Sequence, residues 1–331
     1  MAASPSGRRR VPLGPGVDGG GVSGEPRGPA AWAMTGGTHT GGLPPEAWAT
    51  ALAGLPAMGP GRLRAVLAAW EPAAAWCRVV GGGAAAHPQV AAACRPDPGA
   101  VGRVWARAAA GADVAAAWSA HRAAGVGVLL RGNDGYPEGL ADDHEAPPVL
   151  FARGHPDALG SAGGRRVAIV GTRTCSRYGV DVATELGQDL AAAGVVVVSG
   201  LALGVDGAAH HGALSVPRGA GSPPVAVVGS GLDVVYPRRH GRLWAEVAER
   251  GLMLSEAPLG TRPEPWRFPV RNRVIAALAD VVVVVESHHR GGSVHTVEAA
   301  QARDRQVMAV PGSVRSPASA LPNALLADGC A

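Results

Sequence analysis

Lysine is missing from this chain of 331 residues, so each of its 30 basic side chains is an arginine. Against 26 acids the formal net charge is +4, a mild lean toward anionic partners. Twelve arginines stand against eleven acids before residue 150, and eighteen against fifteen after it. Charge is therefore spread out, and a nucleic-acid footprint would have to come from local clustering. Aromatic residues make up only 4% of the chain, which leaves Val, Ala and Leu to build the core, as in parallel α/β sheets. Cysteine is scarce too: Cys77, Cys94, Cys175 and Cys330 form no Cys-x-x-Cys pair and have no metal-like spacing with histidine. That excludes a disulfide framework and predicts free thiols, no metal and no cofactor. No apolar run approaches the ~20 residues of a membrane span, and the opening Met1-Ala-Ala-Ser-Pro-Ser-Gly-Arg-Arg-Arg10 leads into no signal core. A cytoplasmic protein without a membrane partner is expected.

What is present falls into four stretches. Residues 1–42 are rich in Gly, Pro, Ser and Arg without apolar period, and predict a disordered tail. Over 43–125 Leu52, Leu55, Leu63, Val66, Leu67 and Trp70 recur at helical steps, the pattern of a small all-helical domain, SAM-like or helix-hairpin-helix-like. Its Leu55-Pro-Ala-Met-Gly-Pro-Gly-Arg-Leu63 segment suits a turn lending backbone amides to phosphate, and equally a plain glycine turn between core helices. Residues 126–160 combine a strand-like run at 126–130 with the extended connections Asp134-Gly-Tyr-Pro137 and Ala146-Pro-Pro-Val-Leu-Phe151, and read as a linker. Over 161–331 short apolar runs at 167–170, 195–198, 225–228, 252–254, 281–285 and 307–310 alternate with helical stretches. Runs that are apolar throughout, instead of alternating, require a parallel sheet covered on both faces. The expected fold is α/β, a Rossmann-like, mostly parallel sheet with its binding crevice at the carboxyl ends of the strands.

Those ends carry a consistent inventory. The first delivers Gly171-Thr172-Arg173 into a helix, a turn whose unpaired amides and arginine suit phosphate. The second delivers Ser199-Gly200 and, further on, Asp206 and His210; the third, Gly229-Ser230-Gly231. The fourth leads to Trp266-Arg267-Phe268-Pro269-Val270-Arg271-Asn272-Arg273, and the fifth to Glu286 and Arg290-Gly291-Gly292-Ser293. Amides, hydroxyls and guanidinium groups converge there without a positioned nucleophile, which describes a polyanion groove. Dinucleotide binding is disfavoured, because Gly-x-Gly-x-x-Gly is absent after the first strand and no acid ends the second. The adjacent pairs His210-His211 and His288-His289 make poor metal ligands. Asp206 and His210, four apart on one helix, predict a local hydrogen bond in place of a hydrolytic triad.

The stretches Val167-Ala-Ile-Val-Gly-Thr-Arg173, Ser199-Gly-Leu-Ala-Leu-Gly-Val-Asp-Gly-Ala-Ala-His210, Gly229-Ser-Gly-Leu-Asp-Val-Val-Tyr-Pro237, Phe268-Pro-Val-Arg-Asn-Arg-Val-Ile-Ala276 and Ala309-Val-Pro-Gly-Ser313 closely resemble the DprA/Smf family of DNA-processing proteins. The resemblance runs in order from about Tyr136 to Asn323. It implies a non-catalytic, dimeric binder of single-stranded DNA that protects incoming DNA and helps load the RecA recombinase in natural transformation or recombination. By position it implies a pocket lined by Gly171, Thr172, Arg173, Ser199 and Gly200. Phe268, Arg271, Asn272 and Arg273 would form the opposite wall, and Gly292 and Ser293 would add further contacts. Phe268, flanked by Arg267 and Arg271, suits a base-stacking platform, although a core position beside Trp266 and Pro269 fits it as well.

Three departures stand out. Leu203 sits where many members carry arginine. Gly292-Ser-Val-His-Thr-Val-Glu298 replaces the common Gly-Ser-Leu-Ile-Thr-Ala-Arg, and the winged-helix module many members carry at the C-terminus is expected to be absent. Glu298 also opens an alternative: Gly291 to Glu298 looks like the phosphate loop and glutamate of lysine-decarboxylase-like nucleotide phosphoribohydrolases, with Arg273 as the second catalytic group. The proline and third glycine of that motif are missing.

Overall fold

A computed structural model describes residues 42–159 and 164–331, so the expected tail lies, but for Gly42, outside the described residues. Six helices come first: α1 (Pro45–Ala53), α2 (Pro60–Ala69), α3 (Pro72–Val80), α4 (Pro88–Ala93), α5 (Pro98–Ala110) and α6 (Val114–Ala123). The first five each open on proline, whose fixed φ suits the first turn and whose missing N–H would have had no intrahelical partner. Asp97 and Asp113 cap α5 and α6, accepting from the N–H of Ala100 and Ala116, each at 2.8 Å.

The chain then runs through β1 (Gly127–Leu130), α7 (Glu138–Ala141), β2 (Val149–Gly154), β3 (Arg166–Val170), α8 (Arg177–Ala192), β4 (Val196–Ser199), α9 (Val205–Ser215) and β5 (Val225–Val228). After these come α10 (Gly241–Arg250), β6 (Leu252–Ser255), α11 (Arg267–Leu278), β7 (Val281–Val284), α12 (Val294–Gln301), β8 (Gln306–Ala309) and α13 (Ala320–Ala327). One sheet holds all eight strands in the order β1-β2-β6-β5-β4-β3-β7-β8. It is parallel from β6 to β8, while β2 pairs antiparallel with both β1 and β6. The order reverses between β3 and β7, the switch point at which α/β sheets open a crevice.

Two expectations change here. The segment 126–160 is no free linker, because its β1 and β2 extend the sheet, with Phe151 opposite Ser255. Pro147 and Pro148 read as a connection because they cannot donate, yet they only precede β2, where a proline is tolerated. Nor do residues 43–125 enclose a core of their own. Leu52, Val66, Trp105 and Trp118 belong to one buried cluster with Phe151, Val228, Met253 and Trp244, so these helices cover the β1-β2-β6-β5 end of one face. Farther along that face α8 and α9 pack over Ile169 and Val197. The opposite face carries α11 and α12 over Val170, Val198, Val227 and Val284.

A buried ionic network ties the segment before β2 to α12, α11 and α2. Just past α12, Arg303 donates to Asp143 at 2.6 Å and to Glu145 at 2.8 Å. Arg273 of α11 pairs with the half-buried Glu256, and Arg64 of α2 donates to the Glu145 carbonyl at 3.1 Å. Burial alone would push the Asp143 carboxyl up, but its hydrogen bonds to Arg303 hold it below the usual range, and the same guanidinium lowers Glu145. The four cysteines are free. Among the described residues no helix is long and apolar enough to cross a membrane, and no cluster of His, Cys, Asp and Glu is placed for a metal.

Candidate functional site

The turn from β3 into α8 is occupied from within. Ser176 caps α8, its hydroxyl accepting from the Gly179 N–H at 3.2 Å. Glu286, at the end of β7, accepts from the Ser176 N–H at 2.8 Å and from its hydroxyl at 2.7 Å. An internal carboxylate thus takes the place at this helix terminus where the sequence suggested a phosphate. Thr172 donates its N–H to the Glu286 carbonyl, which joins the turn across the switch point.

Arg173 turns elsewhere. Its exposed guanidinium lies over the face of Phe268, 5.0 Å from the ring centroid, and none of the ion pairs among the described residues uses it. The other neighbour of Phe268 is Tyr236, with ring centroids 5.3 Å apart and planes tilted by 35°. Phe268 is half-buried and belongs to none of the buried apolar clusters. Arg173, Leu203, Gly229, Tyr236, Phe268 and Arg271 line a small cavity of about 60 Å³ at the strand ends. Leu203 makes part of this wall apolar where a family arginine would add charge.

Arg271 forms the floor. Buried among the ends of β4 and β5, it donates to the Gly200 carbonyl at 2.8 Å and to the Val227 carbonyl. A Cβ on Gly200 would meet both terminal guanidinium nitrogens at 2.5 Å, so a side chain there would displace this arginine from its place. Burial draws the Arg271 pKa down to about 10, with the Asp206 charge opposing that shift, so the group stays cationic at neutral pH. Asp206 accepts from the Gly200 N–H at 3.2 Å instead of pairing with His210, and burial pushes its carboxyl up. His210 is fully buried, and desolvation holds its pKa at about 3 despite the Ser199 backbone nearby, so the imidazole is neutral.

The remaining expected residues divide. Gly171 and Thr172 lie at the end of β3 beside Arg173, and Asn272 reaches the loop after β7 by donating to the Gly292 carbonyl at 3.2 Å. Ser199 is buried and donates to the Ile169 carbonyl at 2.6 Å, while buried Ser293 donates to the Ser287 hydroxyl at 2.6 Å. Arg273 points into the ionic network, away from the cavity. Exposed Glu298 faces His295 at 3.3 Å, while Arg273, the second group offered for glycosidic cleavage, is paired with Glu256. Tyr236 is the residue that sequence reasoning left without a role. As one of three tyrosines in an aromatic-poor chain, set in a glycine loop after a strand, it carried a usable signal.

Comparison with known proteins places this site in context. The family model described as DNA recombination-mediator protein A matches residues 127–331. DNA processing protein DprA of Bacillus subtilis is 36% identical over 211 residues, covering 64% of this chain and 69% of that protein. Across the curated relatives the match spans 44% to 69% of their own lengths. The X-ray structure of DNA processing protein A from Streptococcus pneumoniae superposes with a TM-score of 0.68 at 31% identity, over 87% of this chain and 93% of that one. A structure of DNA processing protein A from Helicobacter pylori, described for its single-stranded DNA binding mode, gives 0.56 at 30% identity over 62% and 89%. Matched by that model over more than half its length, this chain belongs to the DNA recombination-mediator protein A family.

Proposed function

We propose that the protein binds single-stranded DNA at the strand-end cavity and acts by holding it, without chemistry on it. The observation that carries this reading is the exposed Arg173 guanidinium stacked on Phe268 beside Tyr236. A single strand presents phosphates and unstacked bases together, whereas a duplex hides the base faces; an arginine at an aromatic platform suits the former. Gly171, Thr172, Arg173, Gly200, Phe268 and Asn272, with Gly292, form the contact surface in this reading. Ser199, Arg271, Arg273 and Ser293 support it from behind.

Family membership and the binding mode named for the Helicobacter pylori relative support the same ligand. With that ligand we further propose a wider role: a homodimeric cytoplasmic protein that processes and protects incoming DNA in natural transformation or recombination and passes it to RecA. The test is fluorescence anisotropy with labelled single-stranded and duplex DNA across a salt series, run beside an assay for free base from nucleoside monophosphates. Single strands should be preferred, with log affinity falling by about 0.7 per neutralised phosphate for each decade of salt. Equal affinity for duplex, together with base release that requires Glu298, would overturn the reading in favour of a phosphoribohydrolase.

A further inference from the structure

A second and much larger depression, of about 1490 Å³, opens between the α1–α2 turn and the start of α11. Pro56, Met58 and Pro60 from the turn face Trp266, Pro269 and Val270 across it. This groove lies next to the Phe268 cavity. A narrow gap bordered by Gly229, Trp266, Arg267 and Arg271 shares Gly229 and Arg271 with the cavity, and Trp266 and Arg267 with the groove.

Trp266 stands at the junction with 43% of its surface exposed, whereas the other tryptophans among the described residues are buried or half-buried. Its ring is fixed in place: the Arg267 guanidinium lies 4.4 Å from it, and Glu264 accepts from the indole N–H and from the Arg267 Nε, both at 3.0 Å. The motif thus carries two aromatic–arginine stacks two residues apart, Arg173 on Phe268 and Arg267 on Trp266, one on each side of the gap. Arg62 and Arg64 border the groove on the α2 side, and the Arg64 Nε is buried without a hydrogen-bond partner. Glu145, Glu264 and Glu298 border it as well, so the groove is amphipathic with only a small cationic excess. The dense double row of phosphates on a duplex would meet those carboxylates. A single strand can lay its bases on the apolar floor and bring individual phosphates to the arginines.

We propose that this groove is a second subsite for the same single strand. The strand leaves the Phe268 cavity past Arg267, stacks a base on Trp266 and continues over the α1–α2 turn, so the N-terminal helices extend the DNA path. This inference rests on the reading of the Phe268 cavity as a single-strand site. Its test compares oligothymidylates of about six and about twenty nucleotides, lengths chosen around the span of a single-strand site. In the unaltered protein the longer strand should bind at least tenfold more tightly, and in Trp266→Ala most of that length-dependent gain should vanish. Trp266→Phe, which keeps an aromatic face, should recover most of it and controls for misfolding. Retention of the full gain in Trp266→Ala would overturn the second subsite, and so would an equal loss at both lengths, which would make Trp266 a support of the cavity alone. Failure of the unaltered protein to bind either strand would instead sink the single-strand reading itself.

Discussion

Two sets of arginines in this molecule are held in opposite ways. At the junction of α2, α11, α12 and the segment before β2, Arg64, Arg273 and Arg303 meet Asp143, Glu145 and Glu256, three cations against three anions. At the strand ends Arg271 is held by carbonyl oxygens, with Asp206 opposite it and Arg173 adding a further cation. Carboxylates raise the Arg303 pKa against its burial, while Arg271 is drawn down to about 10. Carbonyl dipoles fix an arginine's position without cancelling its charge, so the strand ends keep a positive excess that an incoming phosphate can answer. The junction is balanced overall, with Arg64 alone held by a carbonyl at the groove's edge, and its role is to join the helices to the sheet.

Removing one partner from each set should separate these roles, and the largest effect is expected at the junction. Arg303→Ala leaves Asp143 buried without its cation, and should cost about 3–5 kcal/mol in urea unfolding while the folded fraction keeps its single-strand affinity.

Acid should reach the strand ends first. The folded pKa of His210, about 3, lies below the ~6.5 of an unfolded histidine, so between those values the unfolded chain binds the extra proton. Stability should therefore be flat above pH ~6.5 and fall on acidification, by up to about 1.4 kcal/mol per pH unit. Asp143 and Glu145 have lowered values, so their contribution persists until the pH drops through ~4 and below. His210→Asn should reduce the slope of the urea midpoint between pH 7 and 5 without abolishing it, because burial lowers His121 and His211 as well, and an unchanged slope would reassign that step.

At the cavity, Phe268→Ala should weaken binding of oligothymidylate by about 1–3 kcal/mol, with little change in the salt slope. Arg173→Ala should have the smallest effect on affinity, under about 1 kcal/mol at moderate salt, but should make the slope shallower by about 0.7. If the two variants changed the slope alike, Phe268 would be acting only by holding Arg173.

The sheet was largely legible beforehand. Each expected apolar run became a strand within about a residue of its predicted bounds, as 195–198 did at Val196–Ser199, because burial on both faces leaves an uninterrupted apolar stretch. The β2 strand was missed because two prolines before Val149 signalled a connection, and an antiparallel pairing with β6, a hundred residues on, leaves no local mark. The candidate site was legible as an inventory and not as an arrangement. Arg173, Arg271 and Arg273 look alike in the chain, yet one is exposed on an aromatic ring, one sits under backbone carbonyls and one is locked to Glu256.

The alternation of strands and helices from β3 to β8, the polar groups at the strand ends and the shortage of aromatics were determined by the sequence alone, since each depends on local periodicity or plain composition. Which groups remain free was decided by tertiary structure. Glu286 fills the α8 terminus across 110 residues of sequence, and Gly200 admits Arg271 across 71. Partners so distant in the chain meet only when the sheet assembles, because hydrogen bonds act over a few ångströms and a buried polar group takes whatever partner the fold brings within reach.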